Sequence, residues 1–281
     1  MPEALRLSLG DRCYDLSERA LVVGILNRTP DSFYDAGETY RLDALVRKAY
    51  RLANDGADVL EVGGVKAGVG PEVSVDEELD RTIPAIEALH SRIDIPLGVD
   101  TWRAEVVEEA LSSGAVLAND ISGFKDPGYL ATVSRGGGSV VATHIRLGPR
   151  VLDPDPVYDD VVSTVRQYLA GKVAMALDAG ITRDRIIIDP GLDLGKSTEQ
   201  SLALLGASPE FAAMGYPVFL AASNKDFLGE LLGLGVKERG DATCSALSTG
   251  IILGCRVLRV HDVKSARMIR DTLEALMKEP A

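Results

Sequence analysis

The feature that most constrains how this chain folds is a unit repeated eight times. A short apolar run ends in polar or glycine residues, and a segment with charged and apolar residues at helical spacing then returns the chain. The reading predicts strands near Leu21–Leu26, Asp58–Val62, Pro96–Asp100, Val116–Asp120, Ser139–His144, Arg185–Asp189, Val218–Ala222 and Val257–His261. It predicts helices near Leu42–Asp55, Val75–Leu89, Arg103–Ser112, Pro127–Ser134, Val157–Ala179, Ser201–Ala213, Phe227–Leu232 with Ala242–Leu253, and Val263–Met277. Arg6 to Leu16 reads as a hairpin turning at Gly10-Asp11. Strictly alternating strands and helices call for a parallel sheet, and eight of them point to a closed (β/α)8 TIM barrel, with an open doubly wound sheet as the alternative. Gly56, Gly114 and Gly180 fall between a helix and the next strand, where a left-handed residue is wanted. Nothing in residues 1–281 reads as an interdomain linker, so one α/β domain preceded by a short N-terminal hairpin is expected.

Composition narrows the function. Hydrophobic residues make up 46% of the chain and aromatics only 5%, which suits aliphatic parallel strands covered by helices. A net charge of −12 argues against nucleic acid or an anionic membrane as partner, but leaves room for a small anion in a local basic pocket. Cys13, Cys244 and Cys255 are odd in number and lack metal-ligand spacing, so a reducing compartment is expected. Met1–Arg6 reads as neither a signal nor a transit peptide, no apolar run approaches membrane-spanning length, and the expected location is the cytoplasm.

In a barrel of this kind the C-terminal strand ends form the site face. The chain places polar residues there repeatedly: Asn27 after the first strand, Asp100 and Thr101 after the third, Asn119 and Asp120 at the fourth and Asp189 at the sixth. The seventh gives Ser223, Asn224 and Lys225, and the eighth Arg259 and His261. Any one of these alone reads as a cap or a solvated loop residue, as Asp100 before Thr101-Trp102-Arg103 does. Together they describe a ligand site. Asp100, Asn119 and Asp189 suit the edge of a nitrogen-rich heterocycle, while Lys225, Arg259 and His261 suit an anion such as phosphate. Asn27 offers a neutral oxygen for Mg²⁺ bound jointly with phosphate oxygens. No Ser–His or Cys–His pair recommends itself as a nucleophile and base.

These motifs resemble the dihydropteroate synthase family over about Leu21 to Met277. The carrying stretches are Asn27-Arg28-Thr29-Pro30-Asp31-Ser32-Phe33, Gly56-Ala57-Asp58 through Gly63-Gly64, Val99-Asp100-Thr101 and Asn119-Asp120-Ile121-Ser122-Gly123. Asp189-Pro190-Gly191 with Gly195-Lys196, Ser223-Asn224-Lys225 and Arg259-Val260-His261-Asp262-Val263 complete the order. The resemblance implies condensation of dihydropterin-methyl pyrophosphate with p-aminobenzoate, with Mg²⁺, on a barrel that is a homodimer. It implies that Asp100, Asn119, Asp189 and Lys225 hold the pterin, with Asp100 and Lys225 nearest the chemistry. Asn27, Arg259 and His261 would hold pyrophosphate.

The departures gather where the second substrate is expected. The family's second loop continues Gly-Gly-Glu-Ser-Thr-Arg-Pro-Gly, and here it reads Gly63-Gly64-Val65-Lys66-Ala67-Gly68-Val69-Gly70. Asn224 and Asp226 replace an Arg and a Ser of Ser-Arg-Lys-Ser, Asp193 stands in place of glycine in Phe-Gly-Phe, and Arg28 replaces a small apolar residue. Asp226 is thereby expected to set negative charge against the aminobenzoate carboxylate, which costs several kcal/mol. Arg28 and Lys66 facing Asp193 and Asp226 would suit a cationic or zwitterionic amine. The expected function is a synthase-like enzyme with the p-aminobenzoate site altered and classical activity weakened or lost. The alternatives are a catalytically silent pterin-binding paralogue and a pterin-dependent methyltransferase, the latter disfavoured because a methyl donor has no pyrophosphate for Arg259 and His261 to hold.

Overall fold

A computed structural model describes residues 4–29 and 41–278. Pro30, Asp31, Ser32 and Phe33 of the first loop lie outside these. The hairpin comprises β1 (Arg6–Leu9) and β2 (Arg12–Asp15). Eight parallel strands follow: β3 (Leu21–Asn27), β4 (Val59–Gly63), β5 (Leu97–Asp100), β6 (Ala115–Asp120), β7 (Ser139–Thr143), β8 (Ile186–Asp189), β9 (Val218–Leu220) and β10 (Cys255–Val260). They close into a barrel in sequence order, with β10 paired to β3 through Val257↔Leu21 and Val260↔Gly24. The structure is thus the α/β TIM barrel with an N-terminal hairpin that the repeat implied.

The helices α1 (Leu42–Asp55), α2 (Val75–His90), α3 (Ala104–Ser112), α4 (Tyr129–Arg135) and α5 (Val161–Asp178) lie between successive strands. The remainder are α6 (Thr198–Gly206), α7 (Ser208–Ala212), α8 (Asp226–Leu232), α9 (Gly240–Ile252) and α10 (Val263–Lys278). Two expected boundaries move for local reasons. The helix expected from Val157 begins at Val161, because Asp160 accepts from the Val162 and Ser163 N–H groups and caps it there. The helix expected over Ser201–Ala213 starts earlier, at a Ser197–Gln200 capping box, and breaks into two pieces where Pro209 opens the second. Gly56 closes α1 in the left-handed region at φ 101°. Among the described residues no helix is long and apolar enough to cross a membrane.

Period-two alternation sorts each strand into two environments. Inward residues Leu21, Val23, Val59, Leu117, Val141, Ile187, Phe219 and Val257 fill the lower barrel, and Leu7, Leu9 and Leu16 of the hairpin segment pack beneath them. Outward residues such as Val22, Leu60, Val99, Ala118 and Leu258 pack against the helices. The hairpin therefore seals the floor, and the polar ligands are left to the opposite end.

Candidate functional site

The same alternation selects which polar residues reach the barrel interior. Counting upward from the floor residues brings Asn27, Glu61, Asp100, Asn119, Asp189, Ser223, Arg259 and His261 to the inner face. Asp120 falls on the outer phase and does not join them. Its buried carboxylate accepts from the Ser122 N–H at 2.5 Å and the Phe124 N–H at 2.8 Å, fixing the turn after β6. Asp100 is not the cap of α3; Asp126 accepts from the Ala104 N–H at 2.8 Å in that role.

At the centre stands a residue the motif reading passed over. Glu61 is fully buried, and its two oxygens face two donors: Arg259 Nε at 2.5 Å and Asn119 Nδ2 at 3.0 Å. Arg259 Nη2 donates to Asp100 Oδ2 at 2.7 Å, so one guanidinium is shared by two carboxylates. Because Glu61 is acceptor-only when ionised, Asn119 must turn its Nδ2 toward it, which leaves buried Asn119 Oδ1 without a partner. Burial pushes the Asp100 carboxyl up to about 7 against the pull of Arg259, and Glu61 adds to the push. A lone acid at the second inward position of Val59-Leu60-Glu61-Val62 is the signal that would have revealed it.

Asp189 is raised by burial and stabilised in the opposite sense by the Gly191 N–H at 2.7 Å and by Lys225, Lys196 and Arg259. Lys225 Nζ donates to Leu192 O at 3.2 Å. Lys196, buried, donates to Leu194 O at 2.9 Å and His144 O at 3.3 Å, which ties the loops after β7 and β8, and burial lowers its ammonium to about 7. Ser223 Oγ and His261 Nδ1 lie 2.9 Å apart, with Asn224 Nδ2 at 3.4 Å from the same nitrogen. Asn224 holds φ 57°, fixed by its N–H on Thr243 Oγ1.

A cavity of about 560 Å³ opens at this end, lined by Asn27, Val65, Lys66, Asp100, Asp193, Asn224, Lys225, Asp226, Arg259 and His261. Asn119 and Asp189 lie beneath, buried beside Asp100 and Lys196. Two charges expected to face an acceptor are instead used internally. Arg28 Nη1 donates to the Asp80 and Arg81 carbonyls of α2, and the Asp226 carboxylate pairs with Arg239 Nη1 at 2.7 Å. Asp193 accepts from the Asp226 and Phe227 N–H groups at the start of α8. Loop two, despite lacking the family's Ser, Thr and Arg, is anchored by three arginines from elsewhere. Arg81 Nη1 reaches Gly64 O at 2.9 Å, Arg103 Nη2 reaches Val73 O at 2.6 Å, and Arg150 donates from Nη1 to Lys66 O and from Nη2 to Pro71 O.

A closed (β/α)8 barrel with a basic and acidic polar mouth defines a small-molecule enzyme of the TIM-barrel class. Comparison with known proteins gives the family: the chain matches the model described as pterin binding enzyme over residues 23–261, and it belongs to that family. It is 37% identical over 275 residues to dihydropteroate synthase of Synechocystis sp., covering 97% of this chain and 95% of that protein. It is 40% identical over 266 residues to inactive dihydropteroate synthase 2 of Mycobacterium leprae, covering 92% and 91%. The crystal structure of Yersinia pestis dihydropteroate synthase in a sulfonamide drug complex superposes with a TM-score of 0.93 at 33% identity, over 97% of this chain and 98% of that one. The chain is therefore dihydropteroate synthase-like, with relatives named both dihydropteroate synthase and inactive dihydropteroate synthase 2.

Proposed function

We propose that the single domain of residues 1–281 binds dihydropterin-methyl pyrophosphate in the barrel mouth, and that it is a C–N bond-forming transferase whose transfer to p-aminobenzoate is weak or lost. The observation that carries the pterin reading is the buried array of Glu61, Arg259, Asp100 and Asn119, with one amide oxygen left unmatched. An unpaired buried acceptor costs about 1–3 kcal/mol, and a ring or exocyclic N–H of a pterin supplies the missing donor. In this reading Asp100, Asn119, Asp189 and Lys225 hold the pterin, and Asn27, Arg259 and His261 face the pyrophosphate.

Among the described residues no group of three His, Cys, Asp or Glu side chains is placed to hold a metal. That donor set fits Mg²⁺ only as an ion carried on the pyrophosphate, with Asn27 adding one neutral oxygen and water the rest. Bound so, it would neutralise leaving-group charge. The reaction forms a bond from the acceptor nitrogen to the pterin methylene and breaks the methylene C–O bond; the electron pair leaves with pyrophosphate and the amine sheds a proton. Asp100 stands where positive charge develops on the pterin side. A homodimer in the cytoplasm is proposed as well, and exposed Met268, Leu276 and Met277 on α10 offer apolar surface for it.

Calorimetric titration with dihydropterin-methyl pyrophosphate and Mg²⁺, followed by p-aminobenzoate with pyrophosphate release monitored, tests the proposal. Tight binding with slow or absent release is expected. Rapid release would refute the altered-acceptor reading, and failure of the pterin to bind would refute the site. The similarity to an inactive relative makes binding with no release at all the silent-paralogue outcome of the same experiment.

A further inference from the structure

We infer that Lys66 is the residue that selects the second substrate, by receiving an anionic group carried on an apolar ring. The inference rests on the acceptor entering the mouth proposed above. On the α8 side, the wall presents the Asp193 and Asp226 carboxylates, with Lys225 between them and the barrel. Asp193 already occupies the Asp226 and Phe227 N–H groups, and Asp226 is tied to Arg239. Lys225 beside them is engaged with Leu192 O and faces Asp189 and Asp193. An acid group entering there finds those N–H groups and the Arg239 guanidinium already engaged.

The opposite wall is different. Lys66 lines the cavity, and among the described residues no carboxylate lies within ion-pair distance of its ammonium. Its backbone is held where it is: Arg150, itself at φ 63°, donates from its N–H to Ala67 O at 2.9 Å and from its guanidinium to the Lys66 and Pro71 carbonyls. Arg150 is a positioning residue, and with Arg81 and Arg103 it spares loop two the ordering cost that a mobile loop pays on binding. Around Lys66 the rim is apolar, with Val69, Leu147, Val151 and Leu152 exposed by 57, 42, 55 and 72%. Such a wall suits a flat ring, and the Lys66 ammonium beside it suits one negative charge.

The test titrates wild type and Lys66→Met with 4-aminobenzoate, its neutral amide and 4-aminobenzylamine, with the protein both alone and loaded with the pterin pyrophosphate. Failure of the pterin to bind counts against the proposed function, while the Lys66 inference is read from the acceptor titrations in either state. Wild type is expected to bind the acid at least tenfold more tightly than the amide, and Lys66→Met to erase that difference. Lys66→Glu should invert it toward 4-aminobenzylamine. Arg150→Ala should weaken the acid severalfold and speed proteolysis within loop two, whereas a merely structural role would change proteolysis alone. Equal affinities for acid and amide, a preference that survives Lys66→Met, or no binding of either overturns the inference.

Discussion

Glu61→Gln tests the core of the site more sharply than removal of any residue the motifs had flagged. The substitution keeps size and shape but leaves one acceptor where there were two. If the glutamine oxygen takes the Arg259 Nε–H, its amide nitrogen faces Asn119 Nδ2, donor against donor, and Asn119 must turn over to offer Oδ1 instead. The charge-assisted bond to Arg259 becomes an ordinary one, a loss of about 1–2 kcal/mol, with Asp100 at 2.7 Å preventing the larger penalty of an orphaned buried cation. The turned Asn119 then presents N–H where the ligand's own N–H was to be received. That mismatch costs about 1–3 kcal/mol, or roughly 5- to 150-fold in affinity. Urea unfolding measures the first quantity and calorimetric titration with dihydropterin-methyl pyrophosphate the second. Stability unchanged within about 0.5 kcal/mol together with affinity unchanged within about twofold would refute the argument that Glu61 orients Asn119.

His144, buried edge-on against Tyr168, has its imidazole pushed down to about 3 by burial, so the folded state keeps it neutral while the unfolded chain takes up a proton below about 6.5. Its contribution is present above that value and lost as pH falls toward 3, at up to about 1.4 kcal/mol per pH unit, and urea unfolding of His144→Gln should show a flatter acid arm. Asp120→Ala removes the acceptor of two buried N–H groups and should cost about 2–4 kcal/mol by chemical denaturation. Leu9→Ala opens a cavity in the floor beneath Val23 and Phe219 and should cost about 2–5 kcal/mol by the same measure. Chelation of Mg²⁺ should weaken the pterin pyrophosphate in calorimetry while leaving a pterin that lacks pyrophosphate unaffected.

Much of the fold was legible in the chain because it depends on local periodicity. Alternating apolar runs and helical segments, punctuated by glycines such as Gly56, state the order of elements, and a parallel sheet built from eight such units has few ways to close. The residues of the mouth were legible for a related reason, since strand ends in this architecture converge wherever they occur in sequence. Counting by twos from Val59 would also have exposed Glu61. What the sequence left open were the partners of charges far apart along the chain. Asp226 reads as an uncompensated acid until Arg239 is found across α8, and Arg28 reads as a ligand until α2 claims it. Loop two reads as stripped of its ordering residues until Arg81, Arg103 and Arg150 arrive from three separate elements. A backbone pattern propagates through neighbours, so sequence determines it; the sign and freedom of a charge depend on what lies within a few ångströms, and only the tertiary structure decides that.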